Sequence, residues 1–319
     1  MMRCFITGVA GFLGSHLADG ALARGWTVLG VDNFFRGKEE HLPEDEEFTF
    51  LELDLCDEIT HLTSLLTSFA PDIILHYGAI NGTEYFYEQP WSVFETNVRA
   101  TSNLLKALSS SGHKPQRVAY ASSSEVYGEI PDIIPTTEEG ITRLDIHSTR
   151  DSYASSKAIG DFYVKLFCED HSIPWTIFRI FNAYGTRMDA SKYGQVIPEF
   201  IRKALDATPF AIIGDGSQTR SFCHVDDHVR MVLDAATHPD GVGVLNIGND
   251  EEITIERLAR QVLEAVDRPF EVENLPLRPN DPPRRAPNCS RIKSISGPCQ
   301  VSLEEGIARC VKDELHQDE

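Results

Sequence analysis

The chain has 319 residues, of which 41% are hydrophobic and 24% charged, and its net charge at neutral pH is −20. A field of that sign repels nucleic acid and anionic lipid, so we expect neither a nucleic-acid partner nor a membrane partner. The sequence has no apolar run of membrane-spanning length and no leader pattern, and its seven scattered cysteines have no C-x-x-C spacing, which favours a cytoplasmic protein with reduced thiols.

Short apolar runs alternate with helical stretches through the first half of the chain. The predicted strands read RCFIT, WTVLGV, FTFLEL, DIILHY, RVAYASS and WTIFRIF, and most are apolar throughout, as in strands buried on both faces. Between them, stretches such as LGSHLADGALARG and YASSKAIGDFYVKLFCEDH have the pattern of helices. This alternation predicts an α/β fold, a Rossmann-type doubly wound parallel sheet over residues 1–181.

The second half has a less regular pattern. The segment NAYGTRMDASKYGQ reads as a long loop, VIPEFIRKALD as a helix, LPLRPNDPPRRAPN as an ordered loop and SLEEGIARCVKDELHQDE as the last helix. We expect residues 182–319 to form a smaller α/β lobe that binds substrate over the carboxyl edge of the sheet. A segment near 222–248 is expected to rejoin the first domain.

Three glycines follow the first predicted strand in ITGVAGFLG, namely Gly8, Gly11 and Gly14. Glycine lets the backbone turn tightly and approach a pyrophosphate, and the helix that follows offers free N–H groups. The second strand ends at Asp32, whose carboxylate suits the hydroxyls of an adenosine ribose and repels a 2′-phosphate. The pattern predicts NAD in preference to NADP, although Arg36 is close enough to soften that preference.

Tyr153 and Lys157 stand four residues apart in YASSKAIGDF, on one face of a predicted helix. A phenol has an ordinary pKa of about 10, too high for a base near neutrality, and a neighbouring ammonium lowers that pKa. Tyr153 is therefore a candidate base that takes a proton from an alcohol while hydride leaves the carbon for NAD⁺. The structural alternative is a chance pair on an amphipathic helix.

A run of polar residues follows the fifth predicted strand, with Ser122, Ser123, Ser124 and Glu125 in succession. Ligands of open α/β sheets bind at the carboxyl ends of the strands, so these side chains are expected at the site. A serine hydroxyl there can share a proton with the reacting oxygen and with the tyrosine. The structural alternative is a polar turn.

Ten segments carry a resemblance over almost the whole chain: TGVAGFLG, VDNFFRG, LDLCD, ETN, SSSEVYG, YASSK, RIFNAYG, GDGSQTRSFCHVDD, NIG and RPNDPPRR. In this order they resemble the extended short-chain dehydrogenase/reductase family, in its NAD-dependent epimerase/dehydratase branch that acts on nucleotide sugars. The resemblance implies tightly bound NAD that is regenerated in each turnover, and a nucleotide-diphosphate sugar as substrate, with UDP as the default. It also implies a homodimer formed through helices near residues 91–111 and 153–170.

The resemblance also implies roles for individual residues. The catalytic set is Tyr153, Lys157, Ser123, Ser124 and Glu125. The implied cofactor contacts are Gly8, Gly11, Phe12, Leu13, Gly14, Asp32, Asn33, Arg36, Asp54, Leu55, Tyr77, Gly78, Ala79, Asn97, Tyr153 and Lys157. The implied substrate contacts are Asn81, Thr83, Glu84, Asn182, Val196, Arg220, Arg278 and Asp281. Capping of a turn is an equal alternative for Asp54, and Tyr77 and Gly78 depart from the family's usual small-residue pair.

The residues after Ser123 bear on which reaction is catalysed. The family first oxidises C4 of the sugar, after which Glu125 could take the C5 proton so that water is lost across C5 and C6. This favours a 4,6- or 5,6-dehydratase over a 4-epimerase, which usually has small or neutral residues here. A decarboxylase shares the Ser-Glu pair and needs an arginine for the C6 carboxylate, for which Arg187 and Arg285 are candidates. A non-catalytic dinucleotide sensor is the alternative of another class, and the intact catalytic pair counts against it.

The segment CHVDDH places His224 and His228 four residues apart around Asp226 and Asp227. A zinc site is one interpretation of this spacing. An aspartate pair that caps a helix, as in the family, is the favoured one, so we expect no metal site.

Overall fold

The computed structural model describes residues 1–57, 59–128, 131–189, 195–206, 208–276 and 283–317. Its strands are β1 (Arg3–Thr7), β2 (Thr27–Asp32), β3 (Phe48–Glu52), β4 (Ile73–His76), β5 (Arg117–Ser123), β6 (Trp175–Ile180), β7 (Ala183–Tyr184), β8 (Ala211–Ile213), β9 (Thr219–Ser221), β10 (Cys223–His224), β11 (Gly243–Ile247), β12 (Glu252–Thr254), β13 (Glu273–Leu275) and β14 (Arg284–Arg285). Its helices are α1 (Phe12–Ala23), α2 (Ile59–Phe69), α3 (Thr83–Glu88), α4 (Pro90–Ser111), α5 (Asp151–His171), α6 (Val196–Leu205), α7 (Val225–Thr237), α8 (Ile255–Ala265), α9 (Ser290–Ser296) and α10 (Leu303–Gln317).

The main sheet has seven parallel strands in the order β11-β6-β5-β4-β1-β2-β3. β1 pairs with both β2 and β4, so the chain winds outward from β1 in two directions. The crevice where the winding reverses lies at the carboxyl end of β1, which is where ligands bind in sheets of this kind. The predicted doubly wound parallel sheet is confirmed.

Side chains along β1 alternate between two cores, one on each face of the sheet. Cys4 and Ile6 point into a core that α1 and α7 cover, whereas Phe5 points into a core that α2, α4 and α5 cover. All three are fully buried. Strands covered on both faces must be apolar at every position, which is why these segments read as continuous apolar runs.

A second, smaller lobe lies beyond β6. Helices α6, α8 and α10 pack with the short strands around a third core, which includes Phe200, Leu258, Val262 and Ile307. β11 does not join this lobe, because it pairs with β6 in the main sheet. α9 likewise packs on α7 and adds Ile292 to the first core. The lobe is thus attached to the main sheet by chain that crosses between them several times.

None of the described helices is both long enough and apolar enough to cross a membrane. The same described residues include no group of three or more histidine, cysteine, aspartate or glutamate side chains placed to hold a metal ion.

Asp227 fixes the first turn of α7 to the segment that precedes α10. Its side chain is buried, and its carboxylate accepts hydrogen bonds from the backbone N–H groups of Gln300 and Val301, each at 2.9 Å. Arg230 Nη2 donates to the same carboxylate at 2.6 Å. The neighbouring Asp226 is half exposed, pairs with Arg309 at the surface, and lies 3.5 Å from Nδ1 of His224.

We expect Asp227→Ala to lower the free energy of unfolding by about 3 kcal/mol, because it removes the buried acceptor of two backbone N–H groups and the counter-charge of Arg230. Urea unfolding followed by circular dichroism measures the change. The matched control is Asp226→Ala, for which a loss of less than about 1 kcal/mol is expected at an exposed ion pair. Equal losses in the two variants would contradict this assignment.

Candidate active site

A cleft of about 1450 Å³ runs along the carboxyl edge of the main sheet and under the second lobe. Of the residues predicted for the site and described by the structure, all line this cleft except Asn97, which is buried. Arg278 and Asp281 lie outside the described residues. The cleft therefore brings together side chains from the ends of β1, β2, β4 and β5 with Arg220 and Val196 of the second lobe.

The glycine turn after β1 needs glycine at two positions. Gly8 has a φ of +72°, and a Cβ on it would lie 2.7 Å from the Cα of Gly78. A Cβ on Gly14 would lie 2.0 Å from the carbonyl oxygen of Gly8. The first turn of α1 has no side-chain cap, since Gly11 is its N-cap, so its N–H groups are suited to a diphosphate. Gly78 thus has a packing role against the turn.

Asp32 at the end of β2 is held in place by the backbone. Its carboxylate accepts hydrogen bonds from the N–H groups of Ala10, at 3.0 Å, and Phe34, at 2.8 Å. Burial raises the pKa of Asp32, and these hydrogen bonds act in the opposite direction. Nearby, Asn33 Nδ2 donates to Asp54 Oδ2 at 2.8 Å, which joins the ends of β2 and β3.

Arg36 makes its contacts with residues of the cleft that lie outside the β2 terminus. Its guanidinium donates to the carbonyl oxygen of Asn81, and its Nη2 donates to Asp189 Oδ2 at 2.7 Å. The same guanidinium stacks on Tyr85, with 5.6 Å between its central carbon and the ring centroid. These contacts link the segment after β2 to α3 and to the second lobe, and they do not require a cofactor phosphate.

α5 buries Tyr153 and Lys157 side by side against β5. Lys157 Nζ donates to the carbonyl oxygen of Ala121 at 2.7 Å and lies 5.8 Å from the centroid of the Tyr153 ring. Burial lowers the pKa of Lys157 to about 8, although the charge of Asp161 opposes this. Asn97, about two turns into α4, makes hydrogen bonds with both Ile80 and Ser156 and so fixes the segment after β4 to α5.

The pKa of Tyr153 differs from the sequence-based expectation. Burial raises this pKa above the ordinary value for a phenol, and the charge of Glu125 adds to the increase. A hydrogen bond with Ser123 and the charge of Arg36 act in the opposite direction. The ammonium of Lys157, which the spacing suggested as the group that lowers this pKa, is directed to the carbonyl oxygen of Ala121 in this structure.

Glu125 is the centre of a charged cluster that follows β5. Its Oε1 accepts a hydrogen bond from Arg285 Nη1 at 2.6 Å, and its Oε2 lies 3.1 Å from Arg150 Nη2. Burial alone would raise the pKa of Glu125, but the charges of Arg285 and Arg150 outweigh it and leave that pKa below its ordinary value. The carboxylate is therefore ionised at neutral pH and directed towards two cations.

Of the two arginines in the cluster, the sequence indicates Arg285 as a candidate but not Arg150. Arg285 was one of two candidate arginines, and the other, Arg187, pairs with Asp19 on α1 at 2.7 Å. Arg150 was not predicted. Its position three residues before Tyr153 is a signal that could have identified it, because that spacing brings it to the same end of the helix as the tyrosine. Asn182, a predicted substrate contact, donates its Nδ2 to the carbonyl oxygen of Ser221 at 3.0 Å.

A glycine turn that opens onto a buried tyrosine and lysine defines a class of enzyme, one that uses a dinucleotide to oxidise or reduce an alcohol or ketone. Comparison with known proteins identifies the family within that class. Residues 4–248 match the model of the NAD dependent epimerase/dehydratase family, and the chain belongs to this family. The predicted family and the predicted cofactor, NAD, are both confirmed, and the protein is an NAD-dependent enzyme of the nucleotide-sugar epimerase/dehydratase type.

Individual relatives have different activities. The chain is 32% identical to a UDP-N-acetyl-alpha-D-glucosaminuronate decarboxylase of Bacillus cytotoxicus, with 97% of each chain covered. Its structure is similar to a UDP-glucose 4-epimerase of Thermotoga maritima, solved with UDP-glucose, with a TM-score of 0.90, 28% identity and full coverage of both chains. It is also similar to DesIV, a dTDP-glucose 4,6-dehydratase of Streptomyces venezuelae, with a TM-score of 0.86, 28% identity and coverage of 99% and 97%.

We expect Arg150→Gln to move the acid limb of the pH profile of kcat to higher pH. The substitution removes one of the three cations that lower the pKa of Glu125. That pKa therefore rises, and Glu125 becomes protonated and loses its pairing with Arg285 at a higher pH. Turnover of a nucleotide sugar as a function of pH measures the shift. Arg143→Gln is the control, because Arg143 pairs with Asp132 at the surface of the same loop. An acid limb that is identical in wild type and Arg150→Gln would contradict this role.

Proposed function

We propose that the protein decarboxylates a nucleotide-linked hexuronic acid, with UDP-glucuronate as the first substrate to test. The observation that carries this proposal is the arrangement of Arg285 beside Glu125. One nitrogen of the guanidinium donates to Glu125, while Nε and Nη2 are buried and have no hydrogen-bond partner in the described part of the chain. Those two donors form the edge of the guanidinium that matches a carboxylate in a bidentate pair. A small movement on binding would present that edge to the C6 carboxylate of a uronic acid.

The charge of the cluster supports the same substrate class. Arg150, Arg285 and Arg220 all lower the pKa of Glu125, so three cationic side chains lie near it at the carboxyl end of β5. They occur in a chain whose net charge is −20. A diphosphate and a uronate carboxylate would both be attracted to these side chains, whereas a neutral hexose would supply only the diphosphate.

The chain's own residues can perform the proton transfers of such a reaction. Bound NAD⁺ would accept hydride from C4 of the sugar and return it at the end of the cycle. Tyr153 would take the proton of the C4 hydroxyl as a phenolate, which the positive charges of Lys157 and of the bound cofactor would favour against the effect of burial. Ser123 would share a hydrogen bond to the same oxygen. The resulting 4-ketone is β to the C6 carboxylate, so the C5–C6 bond can break with release of carbon dioxide while its electron pair moves to the C4 oxygen. Tyr153 and Ser123 would stabilise that enolate by hydrogen bonding, and C5 would then be protonated from water.

Among known relatives, the Bacillus cytotoxicus protein that aligns over nearly its full length is a decarboxylase of a UDP-linked uronic acid. Dehydration across C5 and C6, which the sequence alone favoured, is the second candidate. The ionised state of Glu125 favours it, since a carboxylate beside Ser123 is suited to accept a proton from C5.

We expect wild-type holoenzyme to convert UDP-glucuronate to a product lighter by one carbon dioxide, as measured by mass spectrometry. Arg285→Gln is expected to reduce this turnover at least about a hundredfold, because it removes the paired donors that would hold the C6 carboxylate in position beside the anionic Glu125. Arg284→Gln is the matched control, since Arg284 is exposed on the same strand and pairs with Glu252. A UDP-hexose that loses water would favour the dehydratase, and UDP-sugars that change only in stereochemistry would favour an epimerase.

We also propose that the protein forms a homodimer through α4 and α5. Both helices present large apolar side chains to solvent: Trp91 on α4 is 72% exposed, and Phe162 and Leu166 on α5 are 65% and 58% exposed. Phe162 and Leu166 lie four residues apart and therefore share one face of α5. Exposed apolar surface of this extent commonly marks an interface.

We expect Phe162→Glu combined with Leu166→Glu to convert a dimer into a monomer, because each subunit would place two charges in an apolar contact. Light scattering coupled to gel filtration measures the mass in solution. Thr67→Glu on the exposed side of α2 is the control and should leave the mass unchanged. A wild-type protein that is monomeric at all concentrations tested would overturn the proposal.

A further inference from the structure

Phe86 of α3 lies directly against the ring of the catalytic tyrosine. The ring centroids of Phe86 and Tyr153 are 4.6 Å apart and the ring planes differ by only 10°, so the two rings are stacked. Phe86 is 4% exposed and Tyr153 is 6% exposed. With Ile80 and Val93 they form a small apolar cluster that is separate from the cores beside the main sheet and in the second lobe.

A stacked aromatic neighbour restricts a phenol in a particular way. It limits tilting of the ring plane, which determines where the hydroxyl oxygen lies, and it excludes water from one face of the ring. Phenylalanine has no polar atom, so it cannot compete with Ser123 for the Tyr153 hydroxyl. The stack therefore restrains the direction of the hydroxyl without consuming its hydrogen-bonding capacity.

α3 itself needs support from outside, because an isolated helix of six residues is not stable. Its first turn has no side-chain cap. The support comes from the segment after β2, where Arg36 stacks on Tyr85 and donates to the carbonyl oxygen of Asn81. The ring of Phe35 also packs on Tyr85, with the ring centroids 5.7 Å apart. The adenosine end of the cleft is thus connected to the catalytic tyrosine through α3.

We propose that Phe86 is a positioning residue for Tyr153, and that α3, anchored by Arg36 and Phe35, holds the phenolate oxygen in the orientation needed to accept the proton of the C4 hydroxyl. This inference rests on the proposed function only in requiring that Tyr153 act on a sugar alcohol. It does not depend on what happens at C6. It also gives Arg36 a role that the sequence did not indicate, since the contacts of Arg36 support α3.

The test compares Phe86→Leu, Phe86→Tyr and Phe167→Leu as NAD-loaded holoenzymes. The readout is the rate at which bound NADH forms when each protein is mixed with UDP-glucuronate or with UDP-glucose. Leucine keeps the apolar volume without a flat ring, whereas tyrosine keeps the ring. Phe167→Leu is the matched control. Phe167 stacks on His171 at the far end of α5, the helix that carries Tyr153, with ring centroids 4.0 Å apart.

Phe86→Leu is expected to slow NADH formation about tenfold through kcat, with KM and NAD content changed less than about twofold, because the loss is one of orientation. Phe86→Tyr should restore most of the rate and Phe167→Leu should leave it unchanged. Tyr85→Leu removes the anchor of α3 and leaves the Phe86–Tyr153 stack itself intact. It should give a smaller loss, again in kcat and not in KM, and it provides the test if Phe86→Leu does not fold. The proposal would be overturned if Tyr85→Leu and Phe86→Leu both form NADH at the wild-type rate. It would also be overturned by a change confined to KM, or by a loss in Phe86→Tyr as large as the loss in Phe86→Leu.

The design also separates this proposal from the proposed function. If wild type forms NADH but releases no carbon dioxide, the decarboxylase assignment fails while the Phe86 comparison remains valid. If wild type decarboxylates UDP-glucuronate and Phe86→Leu does so at the same rate, the positioning role fails and the proposed function stands.

Discussion

The hydrogen bond from Lys157 Nζ to the carbonyl oxygen of Ala121 ties α5 to the end of β5, and the arrangement of the active site depends on it. β5 ends at Ser123 in the cleft and is followed there by Glu125, and α5 carries Tyr153. A buried ammonium is costly unless it is paired, so the position of Lys157 against β5 is well determined. The helix and the strand are thereby held in the register that places the tyrosine beside the serine.

The cleft contains buried titratable side chains and, beside them, a group of arginines in a chain that is negative overall. Burial raises the pKa of Tyr153 and lowers the pKa of Lys157, so burial favours the neutral form of both groups. At Glu125 the charged form is favoured, because neighbouring arginines stabilise it. A protein with a strongly negative overall charge thus keeps cationic side chains where an anionic substrate would bind.

The sequence predicted the sheet and the glycine turn, because these depend on local periodicity and on backbone space, and all but one of its predicted site residues that the structure describes line the cleft. Gly8 and Gly14, for example, occupy positions where any side chain would collide with backbone. It did not predict the stack of Phe86 on Tyr153 or the pairing of Glu125 with Arg285, which is 160 residues away in the chain. Such contacts are set by how the loops and the second lobe pack, and neither spacing nor propensity encodes them.

The central claim is that Tyr153 removes the proton of a sugar hydroxyl while the cofactor takes hydride from the same carbon. It is tested most directly by stopped-flow absorbance of bound NADH after UDP-glucuronate is mixed with wild-type holoenzyme and with Tyr153→Phe. The account predicts transient NADH in wild type and a rate at least about a hundredfold lower in the variant, with equal NAD bound to both. Formation of NADH in Tyr153→Phe at the wild-type rate would contradict it.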